Sequence, residues 1–328
     1  MEIFKSNFKS LELANHVTIE NLDLENLQIN TSDLSNTYFG SLYSYKIGEF
    51  NSSENKVLVS WLSYVVYAGL LKFKFKRSRF KLNLGLNLRD YYQNIKDYLS
   101  VKKQKKIRYF NGEKEVSKIY EIVNIEIFPN IYASAYALSK ISDKQEFIVL
   151  KFGLEDFEGI YFNPALKREN QAYSLGEGLA KHLTEPSYEG PTKVKDAFAS
   201  KSNLSKDAKI RRQIGEYFKT HIYKKINRLV GSRIDVHIII IPEVGLSSYV
   251  GDIIASSIKG GSTIEIIYHS NALASEGLYL IDEFELYDAF NEKVGVAITN
   301  DKTTFTSRKN NQITDELLCI SSFTPIAN

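Results

Sequence analysis

Few residues in this chain have a type and spacing that does chemistry by itself. The five histidines, His16, His182, His221, His237 and His269, are scattered and show no metal-ligand spacing. Cys319 is the single cysteine, which excludes an internal disulfide framework and a cysteine-rich metal centre. No glycine-rich phosphate fingerprint and no paired-histidine zinc motif occurs. In SLGEGLAKHL, Ser174–Leu183, Glu177 and His182 stand five apart and are not neighbours on one helix face. Gly260-Gly261 lies between an expected helix and an expected strand and reads as a helix-ending turn. What remains is charge. Around Gly153, the residues Lys151, Glu155, Asp156 and Glu158 crowd a turn between two apolar runs. From Lys72 to Arg108, thirteen Lys or Arg stand against two Asp, Asp90 and Asp97. KFKFKRSRFK alternates basic and aromatic residues at the period of a strand. Its lysines either discourage edge pairing or present a basic face to DNA or to an acidic protein. Lysines on a strand attract phosphate without reading bases.

The elements that must position these groups alternate between strand and helix. Short strands are expected in 2–13 and 17–29, then Leu42–Phe50. Glu54–Leu71 has a 3–4 apolar repeat and reads as a helix. Phe80–Leu86 is a strand and Leu88–Leu99 a helix. Ile107–Phe110 and Lys114–Tyr120 flank Asn111-Gly112-Glu113, a hairpin signal. The strand continues to Ile127, Pro129 breaks it, and Ile131–Ile141 is helical. Phe147–Phe152 and Phe157–Phe162 are strands around Gly153, and SLGEGLAKHL is expected to open a helix. Asp207–Val230 is the clearest helix, with Ile210, Ile214, Tyr217, Phe218, Ile222, Ile226 and Leu229 as its apolar stripe. Lys219, Lys224, Lys225 and Arg228 form its basic face. Val236–Ile241 is apolar throughout, as in a buried parallel strand. A helix at Ser247–Ile258, a strand at Thr263–Tyr268, a helix at Ala272–Phe284 and a strand at Val294–Thr299 complete the series.

Strands alternating with helices predict α/β layering. The chain has 328 residues, 43% hydrophobic and 25% charged, enough for two ordinary domains. A net charge of +3 does not demand a nucleic-acid partner. The longest apolar run near the start, Val57–Leu71, falls short of the roughly 20 residues that span a bilayer. A cytoplasmic protein without membrane contact is therefore expected.

The order of these pieces resembles the bacterial plasmid-segregation actins, the ParM/StbA group of the actin-like ATPases. NKVLVSWLSYVVYAGL, Asn55–Leu70, is similar to the family's helix ending in Ser/Ala-Gly-Leu. FKLNLGLNLRDYY, Phe80–Tyr92, looks like its strand and turn leading to a Tyr-Tyr pair. KKIRYFNGEKEVSKIYEIVNIEIFPNIYAS, Lys105–Ser134, resembles its hairpin and proline-containing loop. SLGEGLAKHL resembles a helix start, and Asp207–Leu229 with IDVHIIII resembles the helix feeding the last nucleotide loop. SNALASEGLYLIDEF, Ser270–Phe284, looks like the C-terminal helix. The likeness covers about residues 1–285. It implies an α/β, two-domain actin-like (ribonuclease H-like) fold. Domain I would be 1–145, domain II 146–285 with the helix at 272–285 packed back on domain I, and 286–328 a C-terminal extension.

The resemblance also implies ATP and magnesium between the domains, held by a hairpin from each. Backbone can approach phosphate closely only where glycine removes the Cβ, and magnesium needs hard oxygen ligands. The chain departs from that pattern at each place. The first hairpin would be Ile3–Leu13, whose turn offers Lys5, Ser6, Asn7 and Lys9 but neither Gly nor Asp. The position of the catalytic carboxylate falls on Asn130, which cannot act as a base. The second hairpin would be Ile148–Phe162, with Lys151 at the family's Asp and Gly153-Leu154-Glu155-Asp156 at its glycine-rich turn. Pro242, Glu243 and Val244, followed by Gly245, stand at the adenosine loop's three glycines.

No catalytic, cofactor-binding or metal residue is therefore assigned. The expectation is a non-catalytic, degenerate actin-like protein without a cofactor, a pseudo-ATPase. It would be a structural or interaction piece in plasmid or DNA segregation or a filament component, with protein partners or self-association. One alternative is a divergent ATPase that polymerises, with Lys5, Lys9 or Lys151 on phosphates and Glu155, Asp156 or Glu158 on magnesium. Another is a DNA-binding adaptor that uses Lys72–Arg108.

Overall fold

The computed structural model describes residues 15–19, 30–31, 70, 78–89, 91, 104–110, 115–142, 146–153, 156–179, 208–230, 237–242, 263–266, 273–281, 292–298, 303–307 and 317–318. The strands, in chain order, are β1 Asn15–Ile19, β2 Asn30–Thr31, β3 Arg79–Leu86, β4 Gln104–Phe110, β5 Glu115–Pro129, β6 Phe147–Phe152 and β7 Asp156–Phe162. They continue with β8 Ala172–Glu177, β9 His237–Pro242, β10 Thr263–Ile266, β11 Glu292–Ile298, β12 Thr303–Ser307 and β13 Leu317–Leu318. The helices are α1 Asn130–Ile141, α2 Ala208–Tyr217, α3 Tyr223–Val230 and α4 Leu273–Leu280. Two units emerge. An outer unit takes Glu12–Ser134 with Ala272–Asn328, and a central unit takes its described residues from Ala135–Asn271.

The central unit holds a five-stranded sheet in the order β10-β9-β6-β7-β8. β6 and β7 form an antiparallel hairpin, β8 runs antiparallel to β7, and β9 and β10 run parallel to β6. Ile238, Ile239 and Ile240 are fully buried, as an all-apolar parallel strand requires. One helical column joins β8 to β9: α2, a π-turn at Phe218–Ile222, and α3. Its buried stripe is Ile214, Phe218, Ile222 and Ile226, at steps of four. Steps of four overshoot a 3.6-residue helix by about 40° each, and the wider π-turn absorbs that drift.

The outer unit holds an eight-stranded sheet in the order β13-β1-β12-β11-β3-β5-β4-β2. Its centre is parallel, β11 beside β3 beside β5, while β12 and β4 pair antiparallel at either side. Phe80, Leu82, Leu84 and Leu86 alternate along β3 and are all buried. Helix α4 covers β3, β11 and β12 at very short range. A Cβ at Gly277 would fall 1.7 Å from the Ala133 carbonyl oxygen, and one at Gly295 would fall 2.2 Å from that of Ser275. Only glycine permits such contact of backbone with backbone.

Most of the expected elements that fall on described residues are present, among them the β4–β5 hairpin, α1 and the β6–β7 hairpin. One is corrected. Residues Ala172–Glu177 form strand β8, not the head of a helix. β8 buries only Ala172 and Leu175, and a bulge opposite Phe157–Glu158 spoils its alternation, so neither period shows in the sequence. Gly176, at φ 154°, takes a backbone conformation that favours glycine. The segment read as an extension after residue 285 supplies β11 and β12 to the outer sheet, because β11 pairs with a strand some two hundred residues earlier. The expected hairpin Ile3–Leu13, the strand at Leu42–Phe50 and the helix at Ser247–Ile258 lie outside the described residues. So does the helix Glu54–Leu71, except for Leu70.

Candidate functional site

In open α/β sheets, ligands meet the carboxyl ends of the parallel strands. In the central unit those ends are Phe152, Pro242 and Ile266, beside the β6–β7 turn. The turn is closed by its own backbone. The Gly153 N–H donates to the Asp156 carbonyl at 2.9 Å, and the Gly153 carbonyl accepts from the Leu179 N–H at 3.3 Å. Lys151 and Glu158 face each other across the hairpin, Nζ to Oε2 at 3.8 Å. The Glu158 side chain is 1% exposed and that of Lys151 15%. A carboxylate so far from water needs a cation close by, and Lys151 supplies it.

Aromatic rings hold this hairpin from behind. Phe152 meets Phe157 edge to face at 4.7 Å and Phe218 at 5.9 Å, and Phe157 meets Tyr217 at 5.8 Å. The Tyr217 hydroxyl donates to the Glu177 carbonyl at 2.8 Å, which anchors the end of β8. Burial first, and the charge of Glu177 second, push the Tyr217 phenol up to about 12.

In the outer unit the corresponding ends are Ile298, Leu86 and Pro129. Asn130 follows directly and is 1% exposed. Its Nδ2 donates to the Ile298 carbonyl at 2.7 Å and lies 3.5 Å from Asn87 Oδ1. Its Oδ1 has no hydrogen-bond partner among the described residues and occupies the space a Cβ on Gly85 would need, 2.2 Å away. Asn83 donates to the Leu278 carbonyl at 2.8 Å. Three buried asparagines thus tie β3, β11, α1 and α4 together where these strands end. In the sequence Asn83 and Asn87 give only a slight signal: one polar residue inside the apolar strand β3 and one just past its end.

The resemblance calls for a magnesium-nucleotide at the β6–β7 turn, and the described residues do not fit one. Phosphate oxygens need free backbone donors, yet the Gly153 N–H is committed and Pro242 has none. The Lys151 ammonium is engaged by Glu158. Of the carboxylates proposed for magnesium, Glu158 is the one so engaged, while Asp156 lends the turn its backbone carbonyl and not its carboxylate. Lys5, Ser6, Asn7, Lys9, Glu155, Glu243, Val244 and Gly245 lie outside the described residues. No metal-holding group of three or more His, Cys, Asp or Glu occurs among the described residues.

Elsewhere, Lys219, Lys224, Lys225 and Arg228 are exposed, as the helix pattern predicts. In the basic stretch, Arg79 is paired with Glu121 at 3.0 Å on the surface. Among the described residues no helix is long and apolar enough to cross a membrane.

No family model matches the sequence, and no curated protein matches it. Solved structures do. The archaeal actin homolog Ta0583, in its native form, superposes with a TM-score of 0.51 at 14% identity, over 83% of this chain and 92% of that one. The actin-like protein Alp7A gives 0.49 at 13% identity, over 80% and 88%. The Alp12 filament structure gives 0.48 at 13%, over 82% and 88%. At such identity the likeness speaks to architecture, and the architecture is the two-domain actin-like fold.

Proposed function

We propose that this chain is an actin-like assembly protein, a self-associating filament subunit of the plasmid-segregation type, whose assembly does not run on a magnesium-nucleotide at the β6–β7 hairpin. The fold supports the first half of this reading. One observation carries the second: the turn's own backbone and the Lys151–Glu158 pair use the groups a triphosphate would need. A polymer of such subunits lacks a hydrolysis clock and is long-lived unless a partner controls it.

ATP-driven polymerisation is the second reading. It is favoured by the two-domain actin-like fold itself, shared with the archaeal actin homolog Ta0583. The two separate in one pair of measurements on the purified chain. Light scattering and sedimentation are followed with and without magnesium-ATP, and thermal unfolding is recorded in both. Nucleotide-independent assembly with an unchanged midpoint is expected. A ligand at 100 times its Kd stabilises the native state by about 2.7 kcal/mol. A magnesium-dependent rise of that size, with assembly only in ATP, would establish the second reading, and absence of assembly in every condition would sink both.

A further inference from the structure

The two sheets share one pattern of five strands. In the central unit the order is β8-β7-β6-β9-β10: a hairpin, a third strand antiparallel on its outer arm, and two strands parallel to its inner arm. In the outer unit the order β1-β12-β11-β3-β5 has the same directions at every position. What differs is the route of the chain. In the central unit it makes the hairpin, then the third strand, then the parallel pair. In the outer unit it makes the third strand β1 first, then β3 and β5, and returns for the hairpin after the whole central unit. Successive strands are usually neighbours, so this route has a specific cause.

We propose that the outer unit is a circularly permuted version of the central unit's sheet, with β11–β12 as the counterpart of β6–β7. β11 is no appended edge strand. It lies between β12 and β3, with Val294 and Val296 fully buried, and Asn130 binds its last carbonyl. The point of permutation is visible in the register. Ser307 at the end of β12 faces Asn15 at the start of β1, the two ends a short hairpin loop would join. This assignment moves the first hairpin of the actin-like pattern from Ile3–Leu13 to Glu292–Ser307. Ala297, one residue before the end of β11, becomes the counterpart of Lys151, one before the end of β6. Neither is a carboxylate, so both inner arms lack an acid at the equivalent place.

Three variants of the full chain test this. In the first, residues 289–328 are joined through a loop of about four residues to residues 1–288, which keeps every residue and restores the central unit's route. It is expected to unfold cooperatively within about 5 °C of the parent. In the second, residues 289–328 are removed, and the outer unit is expected to lose its cooperative transition. In the third, Lys81→Cys and Lys293→Cys are combined with Cys319→Ser. These positions are register partners on β3 and β11, and neighbouring strands bring them within disulfide reach, so a cross-link is expected under mild oxidation. A shortened chain that melts like the parent would overturn the proposal by showing the hairpin to be an appendage. A folded double-cysteine variant that does not cross-link would overturn the placement. A relinked chain that fails to fold, while the cross-link forms, would overturn the equivalence of the two routes.

Discussion

The hairpins β6–β7 and β11–β12 hold the same place in two sheets and are secured by unlike means. Behind β6–β7 stands a cluster of rings: Phe152, Phe157, Tyr217 and Phe218. Behind β11–β12 there is a helix in backbone contact and a set of hydroxyls. Ser275 and Thr306 share a hydrogen bond at 2.8 Å, and Ser307 donates to the Lys293 carbonyl at 3.1 Å. Position in a sheet is therefore not tied to one packing chemistry. Rings fill volume where helix and sheet stand apart, whereas small residues let them touch, and hydroxyls satisfy one another where no water reaches.

That contrast is open to direct attack. The largest effect is expected from Gly295→Val on β11, whose Cβ would meet the Ser275 carbonyl oxygen of α4 at 2.2 Å. Neither backbone can yield cheaply, so a loss above about 4 kcal/mol is expected in chemical denaturation, confined to the outer unit. Phe152→Ala comes next. It empties a fully buried ring site in the central unit, at a cost of about 3–5 kcal/mol. If the two losses appeared in one shared transition, the contrast between the units would fail at the level of folding. Thr306→Val keeps the shape but leaves the buried Ser275 hydroxyl without this bond, for about 1–3 kcal/mol. Tyr217→Phe is the mildest, about 0.5–1.5 kcal/mol for one lost bond to a carbonyl.

Tyr217→Phe also carries a pH signature. The folded phenol is pushed up to about 12 from 10.0. Between those values the unfolded chain has lost a proton that the folded chain keeps, so stability falls as pH rises through this window. Below pH 10 the contribution is fully present. The parent is expected to weaken above pH 10 more steeply than the phenylalanine variant, as read by denaturation midpoints at a series of pH values.

Much of the central unit was legible in its residues. FIVLKF and DFEGIYF are apolar enough to be strands on either side of Gly153, and HIIIIP has no polar face to expose. The stripe from Ile214 to Leu229 named its helix, although the π-turn within it did not show, since a slow drift of phase resembles ordinary scatter. β8 escaped because a bulge and two outward tyrosine and serine side chains leave it no period. Asn130 was legible as a residue of interest but not in its role, because its partner Ile298 lies 168 residues away. The outer sheet was the least legible part. Alternation in KVGVAI identifies a strand, but nothing local says that it belongs between β12 and β3.

The late arrival of β11 has a consequence for synthesis. β5 is complete at Pro129, and β11 begins at Glu292. At about 5–20 residues per second, translation separates them by on the order of ten to thirty seconds. Through that interval the flank of β3 that β11 will cover is an open ladder of donors and acceptors, with Leu82 and Leu84 beside it. The central unit receives all of its strands, β6 to β10, within the same wait. A nascent chain thus carries one finished half and one half with a vacant lane, and on a crowded polysome a neighbour's β11–β12 can fill that lane before its own is made.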